Sequence, residues 1–145
     1  MLYSLMQYNT CMRNERTFKS NHNVVYSCKY HIIFCPKYRR KVLVQGVDVR
    51  FKEIVTTLAA EMCVAVLELD VMPDHVHLLC EIDPQLGVHR FVKQLKGRRS
   101  RLLRQEFAWL RSRLPTLWTN SYFVATVGGA ARAVIKQYIE NQKHI

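Results

Sequence analysis

Ala65-Val66-Leu67-Glu68-Leu69-Asp70-Val71-Met72-Pro73-Asp74-His75-Val76-His77-Leu78-Leu79-Cys80-Glu81-Ile82 reads as a β-hairpin. Ala65 to Val71 alternates apolar and polar residues, the period of a strand with one buried face. Pro73-Asp74 supplies the turn, and His75 to Ile82 resumes as a second strand. Residues two apart on a strand share a face. His75 and His77 therefore present two imidazoles side by side.

Elements of matching size flank the hairpin. Upstream, Arg50 to Val64 carries Phe51, Ile54, Val55, Leu58, Ala59 and Met62 at helical spacing. Before it, Val24 to Cys35 is rich in β-branched and aromatic residues and predicts one strand ending at Pro36. Downstream, Val88 to about Leu114 predicts a helix with Phe91, Val92, Leu95, Leu102, Leu103, Phe107 and Leu110 on one stripe, broken or kinked at Gly97. Ser121 to Val127 predicts a fourth strand. Gly128-Gly129 follows as a flexible joint, and Ala130 to Lys143 as a last helix. The order β-α-β-β-α-β is the split, ferredoxin-like α+β pattern. It implies an antiparallel sheet with helices on one face, the other face free for ligands, and an additional C-terminal helix. Residues 1–22 read as an N-terminal extension and 23–145 as one domain.

Charge narrows the partner. The 145 residues carry 22 Lys and Arg against 11 Asp and Glu, a net +11, which points to a polyanion and first to nucleic acid. Nine basic residues lie between Val88 and Pro115 against the single acid Glu106. Lys96, Arg98, Arg99 and Arg101 in that run, with Lys37, Arg39 and Arg40 after the first strand, are the candidate nucleic-acid contacts. No apolar run is long enough to span a bilayer, and no signal-peptide pattern opens the chain, so a cytoplasmic protein is expected. Five cysteines without a C-x-x-C pair fit neither a disulfide framework nor a zinc ribbon. They read as small buried hydrophobes.

The chemistry rests on two half-sites. Each imidazole of the histidine pair offers one nitrogen to a divalent metal and needs its other nitrogen oriented by an acceptor. Asp74 could be that acceptor, but its position favours a turn role. His31, on the first strand, is a further candidate ligand but reads better as an ordinary sheet histidine. On the last helix Tyr138 and Gln142 are four apart and share a face. A phenol, with pKa about 10, attacks poorly at neutral pH unless a metal or base assists, so the tyrosine and the metal make sense together. Attack by tyrosine on a phosphodiester exchanges one ester for another, so the strand can be rejoined without ATP. Two imidazoles, an amide oxygen and open positions suit Mn2+ or Mg2+.

From about Asn21 onward the chain resembles the small single-tyrosine transposases of bacterial insertion sequences, the TnpA group of IS200-like elements. The resemblance is carried by Tyr30-His31-Ile32-Ile33-Phe34-Cys35-Pro36-Lys37-Tyr38-Arg39-Arg40-Lys41-Val42-Leu43 and Met72-Pro73-Asp74-His75-Val76-His77-Leu78-Leu79. It continues through Leu95-Lys96-Gly97, Leu117-Trp118, Ser121-Tyr122-Phe123 and Gln137-Tyr138-Ile139-Glu140-Asn141-Gln142. It implies metal ligation by His75, His77 and Gln142, with Tyr138 as nucleophile. It also implies a 5′-phosphotyrosine intermediate, a free 3′-OH, and substrates that are single-stranded DNA hairpins at the element's ends. A homodimer follows too, its tyrosine helix able to serve the partner's histidines. With Gly128-Gly129 as the joint, a site shared between chains is expected.

Three rivals remain at this level. A non-catalytic RNA-binding module of the same topology would stack bases on aromatics of the central strands, where this chain has His75, His77 and Leu79. A tyrosine enzyme acting on repetitive extragenic palindromes would share the histidines and tyrosine. A metal hydrolase using water would leave Tyr138 structural. No small-molecule substrate and no membrane partner are expected.

Overall fold

The structure is a computed structural model and describes residues 19–20, 23–127 and 132–144. A small antiparallel pair, β1 (Lys19–Ser20) and β2 (Val25–Tyr26), precedes the domain's sheet. That sheet comprises β3 (Lys29–Phe34), β4 (Ala65–Met72), β5 (His75–Glu81) and β6 (Phe123–Thr126), all antiparallel, in the order β4-β5-β3-β6. Helix α1 (Val47–Met62) links β3 to β4. Between β5 and β6 lie α2 (Val88–Gln94), a π turn (Leu95–Arg99), α3 (Arg101–Glu106) and α4 (Ala108–Arg113). Helix α5 (Arg132–Asn141) closes the chain and tightens into a 3-10 turn at Gln142–His144. This is the ferredoxin-like fold that the element order predicts.

Two expectations need correction. The strand expected over Val24–Cys35 is interrupted at Ser27-Cys28, so β2 leaves the main sheet to pair with β1. The long helix expected over Val88–Leu114 becomes three pieces. One break is the π turn around Gly97; the other is Phe107 (φ −115°, ψ 85°), which neither glycine nor proline announces. There the Phe107 ring packs against the buried core, so tertiary contact overrides helical periodicity.

Alternation along β3 and β5 sorts the core. Ile32, Phe34, Val76, Leu78 and Cys80 point to the helical side and meet Phe51, Ile54, Val55 and Leu58 of α1 and Phe91, Val92 and Leu95 beyond them. Phe34, Phe51 and Trp118 form an aromatic knot with ring centroids 4.8–5.9 Å apart, close enough to add edge-to-face attraction to their burial. Among the described residues no helix is long and apolar enough to cross a membrane.

Gly46 starts α1 with φ +95°, where a Cβ is strained. Gly46→Ala is expected to lower unfolding stability by about 1–2 kcal/mol in urea titrations. An unchanged midpoint would show that the turn relaxes without cost.

Candidate active site

The other sheet face is ordered by hydrogen-bonded register. One row runs Glu68–Leu79–His31–Ala125 across the four strands; the next runs Asp70–His77–Ile33–Phe123; beyond it Met72 pairs with His75. Helix α5 packs over this face against β3. Ile33 is fully buried although it points away from the main core. The face that the sequence leaves free for ligands is thus partly roofed by the chain's last helix.

Tyr138 hangs from that roof. Its ring meets Phe123 at a centroid distance of 5.4 Å, and its hydroxyl lies 3.4 Å from Ser121 Oγ. Phe123 shares a row with His77 two strands away, about 10 Å at the usual strand spacing. Burial raises the Tyr138 phenol above its ordinary pKa; the Ser121 hydrogen bond opposes this and the nearby Cys35 adds to it. The resting phenol is therefore protonated. One turn on, Gln142 is 2% exposed; its Nε2 donates to the Tyr138 carbonyl at 3.2 Å. Its amide oxygen is buried without a hydrogen-bond partner. Such an orphan is costly, about 1–3 kcal/mol, and is the kind of atom a cation would satisfy.

Each histidine is held by a neighbour. His75 Nδ1 donates to Asp74 Oδ1 at 2.8 Å, and Arg39 Nε donates to Asp74 Oδ2 at 2.8 Å. Because a carboxylate only accepts, His75 carries its proton on Nδ1 and keeps the Nε2 lone pair free. Asp74 is thus both turn residue and acceptor, whereas sequence reasoning favoured the turn alone. Burial pushes the Asp74 carboxyl up, but the His75 hydrogen bond and Arg39 outweigh it and the pKa falls. His77 stacks on His31 with centroids 5.3 Å apart, and its Nε2 meets His31 Nδ1 at 3.0 Å. Burial first, then His31, holds His77 below its ordinary pKa despite Asp70 and Glu68. The shift favours the neutral imidazole, the form that can donate a lone pair. His31 is therefore a site neighbour that sequence reasoning set aside.

Glu68 and Asp70 were also missed. With His77 they bring three donor atoms within 4.8 Å of one another. Counting outward from the two-residue turn at Pro73-Asp74 pairs Asp70 with His77, so the hairpin held the signal. The imidazole and carboxylate donors gathered here, and separately the orphaned Gln142 oxygen, are of a kind that fits a divalent ion.

The basic residues divide by what they touch. Arg40, Arg98 and Arg101 are exposed, and Lys37 lies over the Tyr38 ring at 5.2 Å. Arg39 is engaged by Asp74 and Arg99 by Glu61. Lys96 donates to the carbonyls of Thr119, Asn120 and Ser121, and burial lowers its pKa to about 8. A groove of about 700 Å³ runs between α2–α4 and the loop before β6. Lys93, Arg101, Arg104 and Arg111 line it together with Trp118 and Tyr122. Cys35 and Cys80 are buried, their thiols pushed up to about 11 and about 12, while Cys63 is exposed and disulfide-bonded, against the expectation of free, buried cysteines. Gly128-Gly129 lies outside the described residues.

Comparison with known proteins identifies the family. The ISDra2 transposase TnpA of Deinococcus radiodurans is 41% identical over 126 residues, covering 86% of this chain and 90% of that protein. The transposase for insertion sequence element IS200 of Salmonella typhimurium is 36% identical over 126 residues, covering 86% and 82%. A crystal structure from Deinococcus radiodurans R1, described as that of a transposase, superposes with a TM-score of 0.77 at 41% identity, covering 86% of this chain and 97% of the other. The family model for IS200-like transposases matches residues 24–142, and this chain belongs to that family.

Proposed function

We propose that this chain cleaves and rejoins single-stranded DNA at insertion-sequence ends, with Tyr138 as nucleophile and DNA hairpins as the recognised substrate. The observation that carries the reading is that Tyr138, through Phe123, packs on the sheet face that bears His75 and His77, one turn before Gln142, whose amide oxygen is buried without a partner.

The Tyr138 hydroxyl oxygen attacks phosphorus, forming a tyrosyl ester at the 5′ phosphate and breaking the bond to the 3′ oxygen. The phenolic proton leaves to solvent and the departing 3′ oxygen takes one up, so atoms and charge balance. The reverse step, with a 3′-OH attacking the phosphotyrosine, rejoins strands. His75, His77 and Gln142 would hold the divalent ion, Mg2+ or Mn2+, with Asp74 fixing the His75 tautomer. When bound, that ion supplies Lewis-acid polarisation of the phosphate. Ser121 and Phe123 hold the phenol. Lys37, Arg40, Arg98, Arg101 and the basic groove are the proposed backbone contacts, while Arg39, Lys96 and Arg99 already have partners within the chain.

The working unit is a homodimer in the cytoplasm. Excision holds two cut ends at once, and one candidate nucleophile per chain requires two chains. In the single chain α5 packs on β3 and Tyr138 on Phe123, the arrangement from which an exchange of the tyrosine helix between the two chains would start.

The test incubates the protein and Mn2+ with labelled single-stranded hairpin DNA, followed by denaturing electrophoresis. A shifted, denaturation-resistant protein–DNA band is expected, lost in excess chelator. DNA cut to free 5′-phosphate without any such band would favour water as nucleophile. Binding without cutting would favour a non-catalytic module.

A further inference from the structure

We propose that Lys96 is a positioning residue: by gripping the loop before β6 it holds Ser121 against the Tyr138 hydroxyl. This rests on the reading of Tyr138 as nucleophile. Lys96 belongs to the π turn, which widens the helix by one residue where it passes the loop. The turn is set firmly: Leu95 is fully buried and the Ser100 hydroxyl donates to the Leu95 carbonyl at 2.6 Å. From there the ammonium donates to Thr119 O at 2.7 Å, Ser121 O at 2.9 Å and Asn120 O at 3.4 Å. An ammonium has three protons, and three successive carbonyls take them.

The start of the loop has other anchors. Lys37 N donates to Leu117 O at 2.9 Å, Pro36 bridges Trp118, and Thr119 N donates to Cys35 O at 3.1 Å. Beyond Thr119 those backbone ties end. Lys96 and a hydrogen bond from Thr119 Oγ1 to Ser121 O at 3.2 Å hold the segment that carries the Ser121 hydroxyl to Tyr138. The loop is also a partition, since Thr119, Asn120 and Tyr122 face the basic groove while Ser121 reaches the tyrosine. Lys96 stands at that wall and fixes which way Ser121 points. Arginine cannot substitute, because its planar fork does not match three carbonyls converging on one point.

The experiment measures single-turnover adduct formation at saturating hairpin DNA, together with the DNA dissociation constant and its salt dependence, in Lys96→Met and Lys96→Arg. Both variants are expected to slow adduct formation on the order of tenfold to a hundredfold, as small misplacements of a nucleophile do, while the dissociation constant stays within about twofold of wild type. Ser121→Ala should be slowed as well, and adding Lys96→Met to it should cost less than Lys96→Met alone. The proposal is overturned if Lys96→Met weakens DNA binding and flattens the salt slope by about one phosphate with Lys96→Arg restoring both. It is equally overturned if the rate loss in each variant matches only the loss of folded protein, or is the same with and without Ser121. Undiminished adduct in Tyr138→Phe would instead remove the parent reading and leave the Lys96 geometry without a nucleophile to serve.

Discussion

Tyr138→Phe is expected to bind hairpin DNA as well as wild type and to form no covalent adduct, a loss on the order of a thousandfold or more. The substitution removes one hydroxyl and keeps the ring on Phe123. The single side-chain hydrogen bond lost, to Ser121, is long at 3.4 Å, so stability should move by less than about 1 kcal/mol. Chemistry and folding are thereby separated. Labelled hairpin DNA, Mn2+ and denaturing electrophoresis give the readout, and a band of wild-type intensity would take the nucleophile's role away from Tyr138.

His75→Ala and His77→Ala are expected to abolish ion-dependent cleavage, by more than about a hundredfold, while leaving hairpin binding intact. Both rings are only partly buried, and their strand neighbours Val76 and Leu78 carry the packing, so the fold should survive. Asp74→Ala gives the graded companion. Without its carboxylate His75 loses the partner that fixes its tautomer, and loss of such an outer contact costs about tenfold to a hundredfold in metal affinity. A titration of cleavage against Mn2+ should therefore shift to higher concentration in Asp74→Ala and recover at saturation, but fail to recover in the histidine variants. Cleavage by either histidine variant at wild-type Mn2+ would dismiss the assignment.

The hairpin was legible because two periods agree there: alternation assigns Val76 and Leu78 to the core, and so assigns His75 and His77 to the opposite face. Element order did the rest for the ferredoxin-like topology. What escaped depended on contacts made after folding. Phe107 ends a helix where its partly buried ring packs against the core, and no local propensity encodes that contact. His31 looks like any strand histidine until β3 pairs with β5 and sets it against His77. Lys96 sits in a run of charge that resembles a phosphate-binding face, yet its ammonium is engaged by three carbonyls more than twenty residues away in sequence. Asp70 could have been found, since counting pairs from the Pro73-Asp74 turn puts it opposite His77.

That turn ties two fates together. One residue inserted between Met72 and His75 would slip the register and exchange the faces of β5. Both imidazoles would be driven into the hydrocarbon interior and Val76 and Leu78 out of it. The lesion that misaims the two imidazoles is thus the same one that unfolds the domain. Purifying pressure for a foldable chain alone would preserve the histidine geometry in copies that no longer move. Tyr138 has no such protection, because its hydroxyl contributes little to folding. In a decaying lineage the tyrosine is the first part of the site expected to drift, and the histidine pair the last.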